Sequence, residues 1–245
     1  MMNKFLSEID TNRFGFNVAK VNNWDLPPQE LLKQLRTENV KLVITRLATE
    51  DVELINELEG LGFQLKDTQL TYRFDLNRMA STSLELPSNL KLREAQELDL
   101  PQIGRLASDS FSQYGHYANN QKLDEEKVNQ IYEDWAVNSF NNPDFADRFI
   151  VAVSGHEVAG FLSYKIVSQA EKKFAKGGIG AVSSNFRNQG IFKFLTKEGL
   201  FWGRELNLDW IEHNALTTNY SVGRVFTSLG FYNSASYVTL HCWLD

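Results

Sequence analysis

The chain has 245 residues, enough for a sizeable core in one large domain or two small ones. With 42% hydrophobic and 23% charged residues its composition is that of a soluble globular protein. The net charge of −6 leaves no basic excess to neutralise the phosphates of a nucleic acid, although one local anion site stays compatible with it. A single cysteine, Cys242, excludes an intramolecular disulfide and fits a reducing cytoplasm. Residues 1–16 lack the apolar run of a signal peptide, and no stretch approaches the roughly 20 apolar residues needed to span a bilayer. A cytoplasmic protein without a membrane or nucleic-acid partner is therefore expected.

In chain order, "FGFNVAKVN" (14–22) reads as a strand entered through Gly15, and "PQELLKQLRTENV" (28–40) as an amphipathic helix with Leu31, Leu32 and Leu35 on one face. "KLVITRL" (41–47) is a buried strand by its β-branched content. "DVELINELEGLGF" (51–63) is a helix ending near Gly60 and Gly62, followed by the strand "QLTYRFDL" (69–76). The Ser, Asn and Pro turn formers of 77–89 mark a linker.

Past it, residues 90–111 give a strand and then a helix that Pro101 can open, and 124–140 an amphipathic helix with acidic residues at its start. Residues 148–167 are two strands around a Ser-Gly-His turn, a hairpin signal. A Gly-rich strand (176–184), a helix (190–206), "WIEHNAL" (210–216), a helix (219–229) and a closing strand (236–244) complete the chain.

Residues 55–76 and 223–244 echo one another: a helix, then Leu61-Gly62-Phe63 or Leu229-Gly230-Phe231, then about nine residues and a strand. The fold expected is α/β with a mixed sheet, built as an abbreviated unit over 1–88 and a complete one over 89–245.

The stretch "NFRNQGIFKFL" (185–195) sits between a strand and an apolar helical run. A helix N-terminus presents free N–H groups and a positive dipole end, Gly190 lets a ligand approach the backbone, and Arg187 adds a charge-assisted donor. An ordinary helix start reads the same way. No Gly-Lys-Ser/Thr follows, so it is not a Walker loop, and it lacks two of the glycines of a dinucleotide fingerprint.

"VSSNFRNQGIF" (182–192) resembles the acetyl-CoA-binding motif of the GNAT superfamily of acyl-CoA N-acyltransferases. Arg187, Gly190 and Ile191 match, while Phe192 stands where Gly or Ala is usual. "NYSVGRVFTSLGF" (219–231) is similar to the family's Asn-x-x-Ala-x-x-x-Tyr-x-x-x-Gly-Phe signature, with Asn219 and Gly230-Phe231 in place. Four further stretches, 13–21, 104–120, 130–140 and 237–244, resemble the TDP-fucosamine acetyltransferase type, which has an abbreviated GNAT-like unit before the catalytic one and acetylates a nucleotide-linked amino sugar.

The resemblance implies the GNAT fold and acetyl-CoA as cosubstrate, without a metal. Its pyrophosphate would lie on Arg187, Asn188, Gln189, Gly190, Ile191 and Phe192, and its pantetheine and thioester along Ala181, Val182 and Ser183, near Asn219 and Phe226. A backbone N–H at the strand end, Ser183 included, could stabilise the tetrahedral oxyanion. The family's usual acid is a tyrosine, here Phe226, which has no proton to give; Tyr220 could substitute, although on spacing it points elsewhere.

Candidates for the base or for substrate contacts are His116, Tyr117, Tyr164, Glu212 and His213. His213 reads more readily as a solvent-facing or satisfied core histidine than as a base, and "QYGHYANN" (113–120) as a substrate loop or a merely solvated one. No spaced His/Cys/carboxylate set suggests a metal. The expected partner is a small amine, with a nucleotide-linked amino sugar as its class, and a homodimer is compatible, dimers being common among symmetric soluble enzymes.

Overall fold

The computed structural model describes residues 4–79, 87–112 and 114–244. Most of the linker expected at 77–89, and Gln113, lie outside them. The helices and strands run α1 (Glu8–Phe14), β1 (Asn17–Lys20), α2 (Pro28–Thr37), β2 (Val40–Ala48), α3 (Val52–Gly60) and β3 (Gln64–Asp75). There follow β4 (Lys91–Glu94), α4 (Leu100–Phe111), α5 (Gly115–Ala118), α6 (Glu125–Asn141), β5 (Arg148–Ser154) and β6 (Glu157–Gln169). The last are β7 (Lys172–Val182), α7 (Ile191–Glu205), β8 (Trp210–Leu216), α8 (Tyr220–Ser228) and β9 (Tyr232–Trp243). The chain is mixed α/β, as expected.

It divides into two compact units, one of Met1–Gln69, Gln113–Val128 and Ala235–Asp245, the other of Leu70–Ser112 and Asn129–Ser234. In the first, β1 runs parallel to β2, and β2 antiparallel to β9 with Val43 opposite Cys242. α2 buries Leu31, Leu32 and Leu35 in a core shared with Leu58, Phe63 and Leu240. Each of those leucines contributes roughly 1.5–3 kcal/mol by leaving water. The strand expected over 14–22 is shorter than read, because Ser7 caps an unforeseen helix, α1, that takes in Phe14.

Several buried polar groups in this unit are joined, while both carboxylate oxygens of Asp67 are buried without a hydrogen-bond partner among the described residues. Asp10 accepts from Tyr117 Oη at 2.9 Å and pairs with Lys20 at 2.6 Å. Burial alone would raise its pKa, but Lys20, Ser7 and Tyr117 together hold it below the usual carboxylate value. Trp243 Nε1–H donates to Asn120 Oδ1 at 3.2 Å, Asn120 Nδ2 lies 2.8 Å from His241 Nδ1, and His241 Nε2 lies 2.8 Å from His116 Nδ1. With Asn120 as donor, His241 carries its proton on Nε2 and passes the bond on to His116.

In the second unit, β4, β5, β6 and β7 are successively antiparallel and β8 is parallel to β7. Its core joins Ile150, Leu162, Tyr164, Leu195, Ile211, Phe226 and Phe231.

The echo seen in the sequence extends to backbone detail. Val52 to Tyr220, and Gln64 to Tyr232, are both steps of 168 residues, so α3–β3 and α8–β9 begin in register and have equal lengths. At the end of α3, Gly62 (φ 93°) donates to Glu59 and Phe63 to Leu58; at the end of α8, Gly230 (φ 91°) donates to Thr227 and Phe231 to Phe226. The same step relates Asn39 (φ 56°) to Asn207 (φ 54°), each turning the chain from a helix into a strand. Phe63 and Phe231 are both buried, so each glycine turn is held by an apolar contact behind it.

Candidate functional site

Strand β7 pairs with β8 only at Ala175↔Ile211 and Lys176↔Glu212, whereas its pairing with β6 continues to Gly160↔Val182. Beyond Lys176 the two parallel strands have no further paired residues, which leaves an edge of β7 open. The chain then makes a short turn over Ser184–Phe186, extends at Arg187, and enters α7 through Asn188 (φ 64°) and Gly190 (φ 75°). Gly190 caps α7 in the left-handed region, with no side-chain acceptor for the first turn. The first intrahelical bond from this cap is Phe194 N–H to Gly190 O, at 3.1 Å. The N–H groups of Ile191, Phe192 and Lys193 precede it, so helix geometry gives them no partner within α7. Arg187, Asn188, Gln189 and Gly190 are exposed. An open left-handed loop with free N–H groups, an arginine and the positive end of a 15-residue helix is suited to a pyrophosphate.

The first repeat is not built this way. α2 begins through Pro27 and Pro28, and proline has no N–H, so its first turn offers fewer donors.

Behind the second loop lies an aromatic cluster. Phe226 of α8 is 1% exposed and stacks on His213 of β8, centroids 4.8 Å apart. Tyr72 of β3 and Phe192 of α7 meet it at 5.0 and 5.7 Å. The two departures from the expected motif, Phe192 and Phe226, thus pack against each other. His213 is also edge-on to Tyr164 and Phe231. Burial pushes its pKa down to about 3, so the ring is neutral at physiological pH.

The profile of the acetyltransferase (GNAT) family matches residues 103–231, more than half of the chain. The chain belongs to the GNAT family. Acetyl-CoA-dependent transfer of an acetyl group to a small-molecule amine is that family's general activity. No curated protein matches by sequence.

Among solved structures, a tandem GNAT protein from the clavulanic acid biosynthesis pathway superposes with a TM-score of 0.66 at 14% identity, covering 92% of this chain and 75% of that one. A functionally unknown conserved protein from Staphylococcus epidermidis gives 0.62 at 12% identity over 100% and 93% of the two chains. A GCN5-related N-acetyltransferase from Kribbella flavida gives 0.59 at 11% over 92% and 80%. At such identities the likeness speaks for the fold alone, and the tandem GNAT neighbour accords with the repeat.

Against that GNAT frame the expected site residues separate into groups. Ala181, Val182 and Ser183 end β7, and Arg187 to Phe192 form the loop and helix start. Asn219 caps α8, its Oδ1 accepting Val222 N–H at 3.2 Å. Ser183 N–H is taken by Ala159 O at 2.9 Å, so the oxyanion contact read for it has a protein partner instead.

Tyr164 was expected at the substrate and is a core residue. It is 0% exposed, with its hydroxyl 3.4 Å from the carbonyls of Leu195 and Thr196 and its pKa raised by burial. Tyr117 is likewise buried on Asp10, and His116 is held by His241 within the first unit. Tyr220 is 69% exposed at the start of α8. Glu212 is bound to Lys176 Nζ at 3.3 Å and Trp210 Nε1 at 3.2 Å, at the last residue pair before the strands part.

Tyr72, which joins the aromatic cluster through Phe226, was not anticipated. Its stretch reads only as a strand, and its adjacency to α8 follows from how β3 is placed in the sheet. Among the described residues no group of three or more His, Cys, Asp or Glu could hold a metal ion, and no helix is long and apolar enough to cross a membrane.

Proposed function

We propose that the chain moves an acetyl group from acetyl-CoA to the amine of a nucleotide-linked amino sugar, by direct attack in a ternary complex. The observation that supports acetyl-CoA binding most is the coincidence of two features at one end of β7. The strands part after Lys176, and the exposed loop beyond them enters α7 with no side-chain cap. In this reading the Asn188–Phe192 backbone and Arg187 hold the pyrophosphate, and Ala181–Ser183, Asn219 and Phe226 border the pantetheine arm.

Successive N–H groups of a strand point to opposite sides. Because that of Ser183 faces β6, that of Val182 faces the open edge and would receive the oxyanion. Holding amine and thioester together supplies much of the rate by proximity. For proton removal, Glu212 is favoured over His213: it sits where the strands part, whereas His213 is enclosed by aromatic rings. The acceptor class rests on the sequence resemblance to amino-sugar acetyltransferases.

The test is thiol release from acetyl-CoA against a panel of nucleotide amino sugars and other primary amines. Turnover with a nucleotide amino sugar is expected; turnover confined to other amines sinks the sugar assignment. A second reading, an acyl-CoA-binding module that transfers nothing, draws on the absence of a hydroxyl at Phe226. Calorimetric binding of acetyl-CoA with no transfer to any amine would favour it.

A further inference from the structure

Expelling a thiolate is easier when a proton meets the sulfur, and Phe226 has none to give. We propose that Tyr72 of β3 donates that proton, its hydroxyl standing in for the one Phe226 lacks. The inference rests on the acyl-CoA site proposed above.

Three observations carry it. The Tyr72 ring packs on Phe226 with centroids 5.0 Å apart. Its hydroxyl lies over Gly223 of α8, where a Cβ would stand 2.8 Å from Oη. That position is between the Asn219 cap and Phe226, nearer the cap end of α8 than Phe226 is, and glycine leaves it open. Tyr72 is also only partly buried, and its hydroxyl makes no hydrogen bond among the described residues. Other tyrosine hydroxyls are committed: Tyr164 to α7 carbonyls, Tyr117 to Asp10 and Tyr232 to Asp75. Tyr220, on the same helix, is largely in solvent.

In the step, the amine nitrogen bonds to the carbonyl carbon, and the carbon–sulfur bond breaks with its electron pair leaving on sulfur. The Tyr72 Oη–H proton passes to that sulfur. The proton that Glu212 takes from the amine returns through water to the phenolate, so the products are the amide and free CoA thiol.

The experiment measures acetyl-CoA binding by calorimetry and CoA thiol release with water and with primary amines as acceptors. Wild type, Tyr72→Phe and Gly223→Ala are compared. Tyr72→Phe is expected to keep the affinity for acetyl-CoA within about twofold while kcat falls about 100-fold, the lower end for a positioned acid. The fall should be smaller with an acyl donor whose leaving thiol is more acidic, because that thiolate needs less help from an acid. Gly223→Ala keeps the hydroxyl but forces it away, and alanine favours the helix; its kcat should fall in the same direction.

Wild-type kcat in Tyr72→Phe overturns the inference. So does a fall in kcat of equal size for donors with more and less acidic thiols, which would mark a packing role. A wild type that binds acetyl-CoA but releases no thiol also overturns it, without touching the binding site. A wild type that binds no acetyl-CoA overturns the proposed site itself.

Discussion

His213 lies nearly flat on Phe226, with 24° between the ring planes, and its buried Nε2 has no hydrogen-bond partner among the described residues. A cation there would be surrounded by aromatic carbon, so the fold holds this imidazole neutral.

That neutrality gives stability a pH dependence. His213 and His241 are both driven down to about 3 by burial, and His116 is lowered too by burial and by His241. A histidine whose folded pKa is depressed binds fewer protons folded than unfolded. Its contribution is therefore complete above the unfolded value near 6.5 and is lost as pH falls from there towards about 3. Chemical denaturation at pH 7, 6 and 5 should show a steady loss, up to about 1.4 kcal/mol per pH unit for each such group. His213→Phe should flatten the slope; an unchanged slope would show that His213 titrates normally.

Gly177 gives His213 its space. A Cβ there would lie 1.9 Å from Nδ1 and 2.2 Å from Cε1 of a ring packed on three sides. Gly177→Ala should destabilise by about 1–3 kcal/mol, as overpacking does. The melting temperature would then fall by several degrees. A melting point equal to wild type would mean that the ring has room to move.

The loop should respond differently. A Cβ on Gly190 meets little, its nearest neighbour being the Phe194 ring at 3.5 Å, but its φ of 75° is left-handed. Alanine there costs about 1–2 kcal/mol in that conformation. Gly190→Ala should make the turn relax and weaken acetyl-CoA binding about 5- to 30-fold, with a fall of up to a few degrees in melting temperature from whatever strain the turn keeps. Arg187→Ala should weaken it by about 10-fold or more, with a shallower salt dependence, since one charge-assisted contact is removed. Calorimetry at two ionic strengths checks both, and wild-type affinity in both variants would count against the cradle.

In the first unit, Asn120 holds Trp243 on one side and His241 on the other. Asn120→Ala strips the buried His241 and the half-buried Trp243 of a partner and should cost about 2 kcal/mol. Thermal denaturation reads the loss, and an Asn120 variant as stable as wild type would show the network to be energetically idle.

Much of this molecule is written locally. The apolar period of α2, the glycines after α3 and α8, and the strand–loop–helix at 176–206 were readable because helix period, turn chemistry and capping act over a few neighbouring residues. For the same reason the Leu-Gly-Phe echo was visible, and it proved to be a 168-residue repeat down to its hydrogen bonds.

Tertiary structure decided the environments. Tyr164 and Tyr117 carry hydroxyls that suggest a substrate surface, yet both are buried, because a hydroxyl can be satisfied by a carbonyl or carboxylate inside the protein. Nothing near position 72 announces that its ring will meet Phe226, since the pairing of distant strands sets that contact. The sequence by itself determined the family, most of the elements and the strand–loop–helix at 176–206. Which histidines stay neutral, where the strands part and which tyrosine reaches α8 were settled only when segments far apart in the chain packed together and shut out water.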